Sequence, residues 1–155
     1  MVVSNTSPLN YLVLIDQIHI LSALYGRVFI PQSVFEELKA PETPEVVRSW
    51  IANPPRWLEI ESAVTVADSN LDALHQGERA AIALAQHLRA DALIIDERRG
   101  RQEAETRGLI VIGTLGVLAA AHERGLVKLA EAIARLRQTN FHASPKLLAM
   151  ILERL

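Results

Sequence analysis

The sequence contains no cysteine. Disulfides, thiolate metal sites and cysteine nucleophiles are therefore excluded, and a reducing, cytoplasmic setting is the expectation. Aromatic residues make up only 5% of the 155 positions, so a core has to be assembled from Leu, Ile, Val and Ala. No apolar run approaches the roughly 20 residues that a membrane span needs. Met1-Val2-Val3 enters strand-like sequence with no basic segment ahead of an apolar stretch, so no signal peptide is expected. Positive charge is not in excess either, since 16 Lys and Arg face 18 Asp and Glu for a net charge of −2. Any contact with nucleic acid must then come from a local basic patch. Several catalytic signatures are missing as well. Gly113-Thr114-Leu115-Gly116 lacks the third glycine of a dinucleotide fingerprint and the lysine of a P-loop. Ser7 lies outside any Gly-x-Ser-x-Gly elbow. His19, His75, His87, His122 and His142 show no metal-ligand spacing, and most of them are expected at the surface.

What the chain does have is apolar content, half of its residues, and a length that lets one domain bury roughly two thirds of its unfolded surface. Its apolar residues alternate between two patterns. Short continuous runs, Met1 to Ser4, Val28 to Ile30, Trp57 to Ile60, Leu93 to Ile95 and Leu109 to Ile112, read as strands. Between them helical spacing covers Pro8 to Ile15, Ile18 to Leu24, Pro31 to Leu38, Glu45 to Ala52, Gly77 to Leu88, Arg98 to Thr106 and Leu115 to Glu123, with Leu129 to Gln138 and Pro145 to Leu155 at the end. Pro31 is expected at the first helical position, where its fixed φ and missing N–H do no harm. The segment Val66 to Leu74 fits neither pattern. Trp50 and Trp57 flank a proline-rich turn, either as packing or as an exposed partner surface. Buried strands alternating with helices predict one α/β domain, residues 1–155, with three layers (α/β/α) and a central, mostly parallel sheet of four to five strands.

Open parallel sheets take ligands beyond the carboxyl ends of their strands. Polar residues gather there: Asn5-Thr6-Ser7 after the first strand, Asp96-Glu97-Arg98-Arg99 after Leu93 to Ile95, and Gly113-Thr114 after Ile112. Asp96 follows three apolar residues, so it needs a cation, an arginine or hydrogen bonds to offset desolvation. It serves an ion, caps the Arg98 helix, or pairs with Arg99 or Arg101. Glu78, in the first turn of its helix, either complements the helix dipole or belongs to a site. Glu37 adjoins the buried stripe of Val34 and Leu38, whereas Glu36 is further round toward solvent. Asn5 either caps the following helix or faces a site. Arg98, Arg99 and Arg101 either pair with Glu97, Glu103 or Glu105, or bind phosphate, and Lys39 can add to the rim.

Taken together, Val2-Val3-Ser4-Asn5-Thr6-Ser7-Pro8-Leu9, Val28-Phe29-Ile30-Pro31 with Val34 and Glu36-Glu37-Leu38, Gly77-Glu78 with Ala80-Ala81-Ile82-Ala83-Leu84-Ala85, Leu93 to Arg101, and Gly113-Thr114-Leu115-Gly116-Val117-Leu118 form a definite pattern. It resembles the PIN-domain-like proteins of the DUF3368 type, relatives of the VapC toxins, in the family's order and over nearly the whole chain.

The resemblance implies a hydrolase: an endoribonuclease, the toxin of a toxin–antitoxin pair, that cleaves RNA phosphodiesters with Mg²⁺ or Mn²⁺. Asn5, Glu37, Glu78 and Asp96 correspond to the four metal-holding acids. Thr6 or Ser7 corresponds to the hydroxyl that contacts the metal water or phosphate. The substrate side is Arg98, Arg99 and Arg101. The implied partners are RNA, a small antitoxin and a second copy in a homodimer, with no membrane. A typical PIN nuclease has aspartate at the position of Asn5, and a charge ~4 Å from the ion interacts by ~4 kcal/mol at an effective dielectric near 20. A neutral ligand weakens metal affinity, and the second expectation is accordingly a catalytically weak or inactive module that binds nucleic acid or protein.

Overall fold

The structure, a computed structural model, describes residues 1–62 and 74–153. Five strands, β1 (Val2–Ser4), β2 (Val28–Pro31), β3 (Leu58–Glu61), β4 (Ala92–Ile94) and β5 (Val111–Ile112), make one sheet in the order β3-β2-β1-β4-β5. Every neighbouring pair is parallel. The helices between and after them are α1 (Thr6–Leu14), α2 (Ile20–Tyr25), α3 (Gln32–Leu38), α4 (Glu45–Ala52), α5 (Gln76–Leu88), α6 (Arg98–Thr106), α7 (Thr114–Glu123), α8 (Leu129–Leu136) and α9 (Pro145–Leu152).

Continuous apolar strands imply a sheet covered on both faces, and the pleat divides their side chains accordingly. Val2, Val28, Ile30, Ala92 and Ile94 join one core with α1 to α4 and α7 to α9. Val3, Phe29, Leu93 and Ile95 join a second core with Ala81, Ile82, Leu84 and Ala85 of α5 and Ala104 of α6. The three-layer α/β/α arrangement follows directly from this alternation. Small alanines on α5 let that helix lie close to the sheet.

Element boundaries differ from the sequence reading in instructive places. Pro31 is the last residue of β2 and the N-cap of α3, at φ −71° and ψ 158°, instead of the first helical residue. Proline's fixed φ suits an extended residue equally well. Helix α1 begins at Thr6, with Pro8 inside its first turn, where no N–H partner is needed. The β4 ladder runs one residue past its bounds, since the Ile95 amide donates to the Ile112 carbonyl at 2.9 Å. Ser144 caps α9 by accepting from the Leu147 amide at 3.1 Å, with Pro145 next to it. Trp50 and Trp57 pack on each other, ring centres 6.3 Å apart, against the larger core. Of the ambiguous segment Val66 to Leu74, residues 66–73 lie outside the described residues, as do the last two residues of the chain. Among the described residues no helix is long and apolar enough to cross a membrane.

Candidate functional site

The carboxyl end of β1, the central strand, is the point at which the strand order reverses direction, where a ligand cleft is expected. Asn5 sits there, 4% exposed, its amide donating to the Ile94 carbonyl at 2.9 Å. It occupies the N-cap of α1, yet its side chain makes no capping hydrogen bond. Instead Oδ1 faces Gly77 at the start of α5, alongside Glu37 Oε1. A Cβ on Gly77 would lie 3.5 Å from Asn5 Oδ1 and collide with Glu37 Oε1. Glycine here leaves a cradle in which two oxygen ligands approach a helix N-terminus.

Glu37 is half-buried and Glu36 exposed, as the buried stripe of Val34 and Leu38 requires. The Thr6 hydroxyl donates to Glu37 Oε2 at 2.7 Å, and His75 Nδ1 stands 3.2 Å from Oε1. Thr43 Oγ1 donates to the Glu37 carbonyl at 2.8 Å and fixes the end of α3. His75 also caps α5, its Nδ1 accepting from the Gly77 amide at 3.3 Å.

Glu78 turns toward α6, where a Cβ on Gly100 would meet its Oε2 at 2.7 Å. Burial raises its pKa, and the charges of Glu97 and Glu37 raise it further against the opposing influence of His75. Asn5, Thr6, Ser7, Glu37, His75, Glu78 and Glu97 line one cleft of about 320 Å³.

Strand parity separates the two acids at the end of β4. Leu93 and Ile95 face α5, so Glu97 continues on that side and enters the cleft, 3.5 Å from Ser7 Oγ. Asp96 points the other way, its Oδ1 accepting from the Thr114 amide at 2.8 Å and its Oδ2 from the Thr114 hydroxyl at 2.7 Å. Asp96 thus caps α7, not the α6 helix that follows it in sequence, and each oxygen keeps a second lone pair. Beside it Arg101 reaches the Ile95 carbonyl at 3.5 Å. Among the described residues none of Arg98, Arg99 and Arg101 forms an ion pair. Glu103 pairs with Arg107 at 2.9 Å instead.

A family model for the PIN domain (DUF3368) matches residues 1–155. The chain belongs to the PIN-domain family. No protein with a curated description and no solved structure matched it. Membership makes this PIN domain a module of nuclease type, a class that works with divalent metal ions and RNA.

The donor chemistry of the cleft fits a hard cation, since Asn5, Glu37, Glu78 and Glu97 offer oxygen alone. Among the described residues, however, no three His, Asp or Glu side chains stand close enough to hold one ion jointly. The fit is therefore to an ion that keeps much of its water shell and takes one or two carboxylates directly, the habit of Mg²⁺. Sequence reasoning missed Glu97 and His75. The signal for Glu97 is parity, two residues beyond Ile95 on the α5 side. His75 carries no such signal, because its role comes from a helix cap brought against Glu37 by the fold.

Proposed function

We propose that this PIN domain is a metal-dependent endoribonuclease that hydrolyses RNA phosphodiesters. The observation that carries the reading is the cleft at the end of β1, where Asn5, Glu37, Glu78 and Glu97 converge from four separate segments. Burial raises the Glu78 pKa first and the charges of Glu97 and Glu37 add to it, and a divalent cation bound there would favour the ionised carboxylate against both.

Mg²⁺ or Mn²⁺ held there supplies Lewis-acid polarisation of a phosphate and an activated water. Glu37 and Glu78 would be its principal ligands, with Asn5 contributing a neutral carbonyl and Glu97 a further carboxylate within the cleft. Asp96, turned to the other face of β4 and held by Thr114, lies outside the cleft and would contribute its negative charge from there. Thr6 fixes the Glu37 carboxylate in one orientation and Ser7 steadies Glu97. Among the described residues Arg98, Arg99 and Arg101 have no carboxylate ion-pair partner, which suits their guanidinium groups to phosphate oxygens.

The cheap test is calorimetric. Millimolar Mg²⁺ or Mn²⁺ should raise the melting temperature and support cleavage of RNA, and Glu78→Gln should remove both effects. A wild-type protein that shows neither response sinks the reading. Asn5 favours a second reading, a weakly catalytic RNA-binding module, because its neutral side chain lowers the charge facing the ion. Recovery of cleavage in Asn5→Asp would separate the two. The toxin role, an antitoxin partner and a homodimer belong to the same proposal and rest on the resemblance.

A further inference from the structure

A second, larger cavity of about 520 Å³ opens on the other side of Asp96, between α7, β5 and α9. Its walls are apolar and partly aromatic, chiefly Tyr25, Ile112, Leu115, Phe141, Leu147 and Ile151, with Asp96 and Arg101 among its few polar residues. Phe141 is held in place, edge-on to Tyr11 at 5.0 Å, and the Tyr11 hydroxyl donates to Asn140 at 2.9 Å in the same loop. Two shallow depressions connect this cavity to the acidic cleft. One contains His75, Glu78, Glu97, Arg98 and Arg99, three of them shared with the cleft. The next contains Arg98 again, then Asp96, Arg101 and Leu147, three of its residues shared with the cavity.

The path therefore runs from carboxylates, over Arg98 and Arg99, past Arg101, into an aromatic-walled pocket. That order repeats the parts of a nucleotide chain: scissile phosphate, neighbouring phosphate, base. We propose that the cavity is a pocket for one unstacked base of an RNA strand whose backbone follows this path. This rests on the nuclease reading and adds to it a base-binding subsite outside the acidic cleft. A base inside a duplex is stacked and paired, so it cannot enter, whereas a loop or free end can splay one out. Base stacking on aromatic and apolar walls is sequence-tolerant, and the flanking guanidinium groups match its phosphates. An apolar protein segment would fill the pocket equally well but would leave those cations unmatched.

The test is binding of a short fluorescent single-stranded RNA, and of the same sequence as a duplex, with EDTA present so that no cleavage occurs. Ala120→Phe fills the cavity from α7, and Leu147→Asp places a charge at its exposed rim as a second, fold-neutral variant. Each should weaken single-strand binding at least fivefold while leaving the weaker duplex binding unchanged. An RNA carrying one 2-aminopurine should lose fluorescence on binding wild type and retain it with Ala120→Phe. If both variants bind single strands like wild type, or sedimentation shows that they alter self-association instead, the cavity is not a base pocket. If wild type binds no RNA and cleaves none with metal, the nuclease reading itself has failed.

Discussion

Residue by residue, the site depends on oxygens placed against backbone that carries no side chain. Gly77→Ala would push Glu37 out of the Asn5 cradle, although alanine favours a helix by up to about 1 kcal/mol over glycine. The expected result is a metal-free melting temperature no lower than wild type and a metal-induced shift that disappears, both read by scanning calorimetry. The two acids after Ile95 should separate similarly. Thr114→Val deletes the buried hydroxyl that donates to Asp96 and should cost ~1–3 kcal/mol of stability with or without metal. Glu97→Gln should leave the metal-free protein at least as stable and weaken the metal response. Glu78 gives the pH signature. Its pKa is raised on folding, by burial first and Glu97 next, so the folded state binds its proton more tightly than the unfolded chain. That preference stabilises the fold at low pH and is lost as pH rises through the folded value. In EDTA, wild type should therefore lose stability relative to Glu78→Gln as pH climbs out of the carboxylate range, and added Mg²⁺ should flatten the difference.

At the scale of elements, legibility followed the physics of burial. Strands buried on both faces announce themselves as apolar runs, and α4 is readable to the residue because Pro44 precedes it and Val47 and Ile51 are spaced as one buried face. Pro31 was misplaced because its φ satisfies a strand end and a helix start alike. Glu36 and Glu37 could be sorted by helical angle, and the structure agrees. The partnership of Asp96 with Thr114 was not readable, since it joins β4 to α7 across 18 residues of sequence. A sequence places an acid at the end of a strand, but which helix N-terminus it finds depends on which strands become neighbours.

For the molecule as a whole, a net charge of −2 supplies no general attraction for nucleic acid, so the proposed RNA contact rests on a local basic patch. With Arg98, Arg99 and Arg101 neutralising about three phosphates, the logarithm of single-strand affinity should fall with the logarithm of salt with a slope near −2. A slope several times steeper would mean a footprint that these residues do not provide. The sheet order has a further consequence, in time instead of space. Asn5, Thr6 and Glu37 belong to the half of the chain that builds β1, β2 and β3, while Glu78 and Glu97 arrive with α5 and the turn after β4. Pairing Val3 with Phe29 closes a short loop, but pairing Val3 with Leu93 closes one more than three times longer, and long closures come late. In refolding, the fluorescence of Trp50 and Trp57, both in the early half, should recover before cleavage does. Central placement of β1 thus acts as a delay: a chain that already holds half of its fold still has no complete acidic cleft.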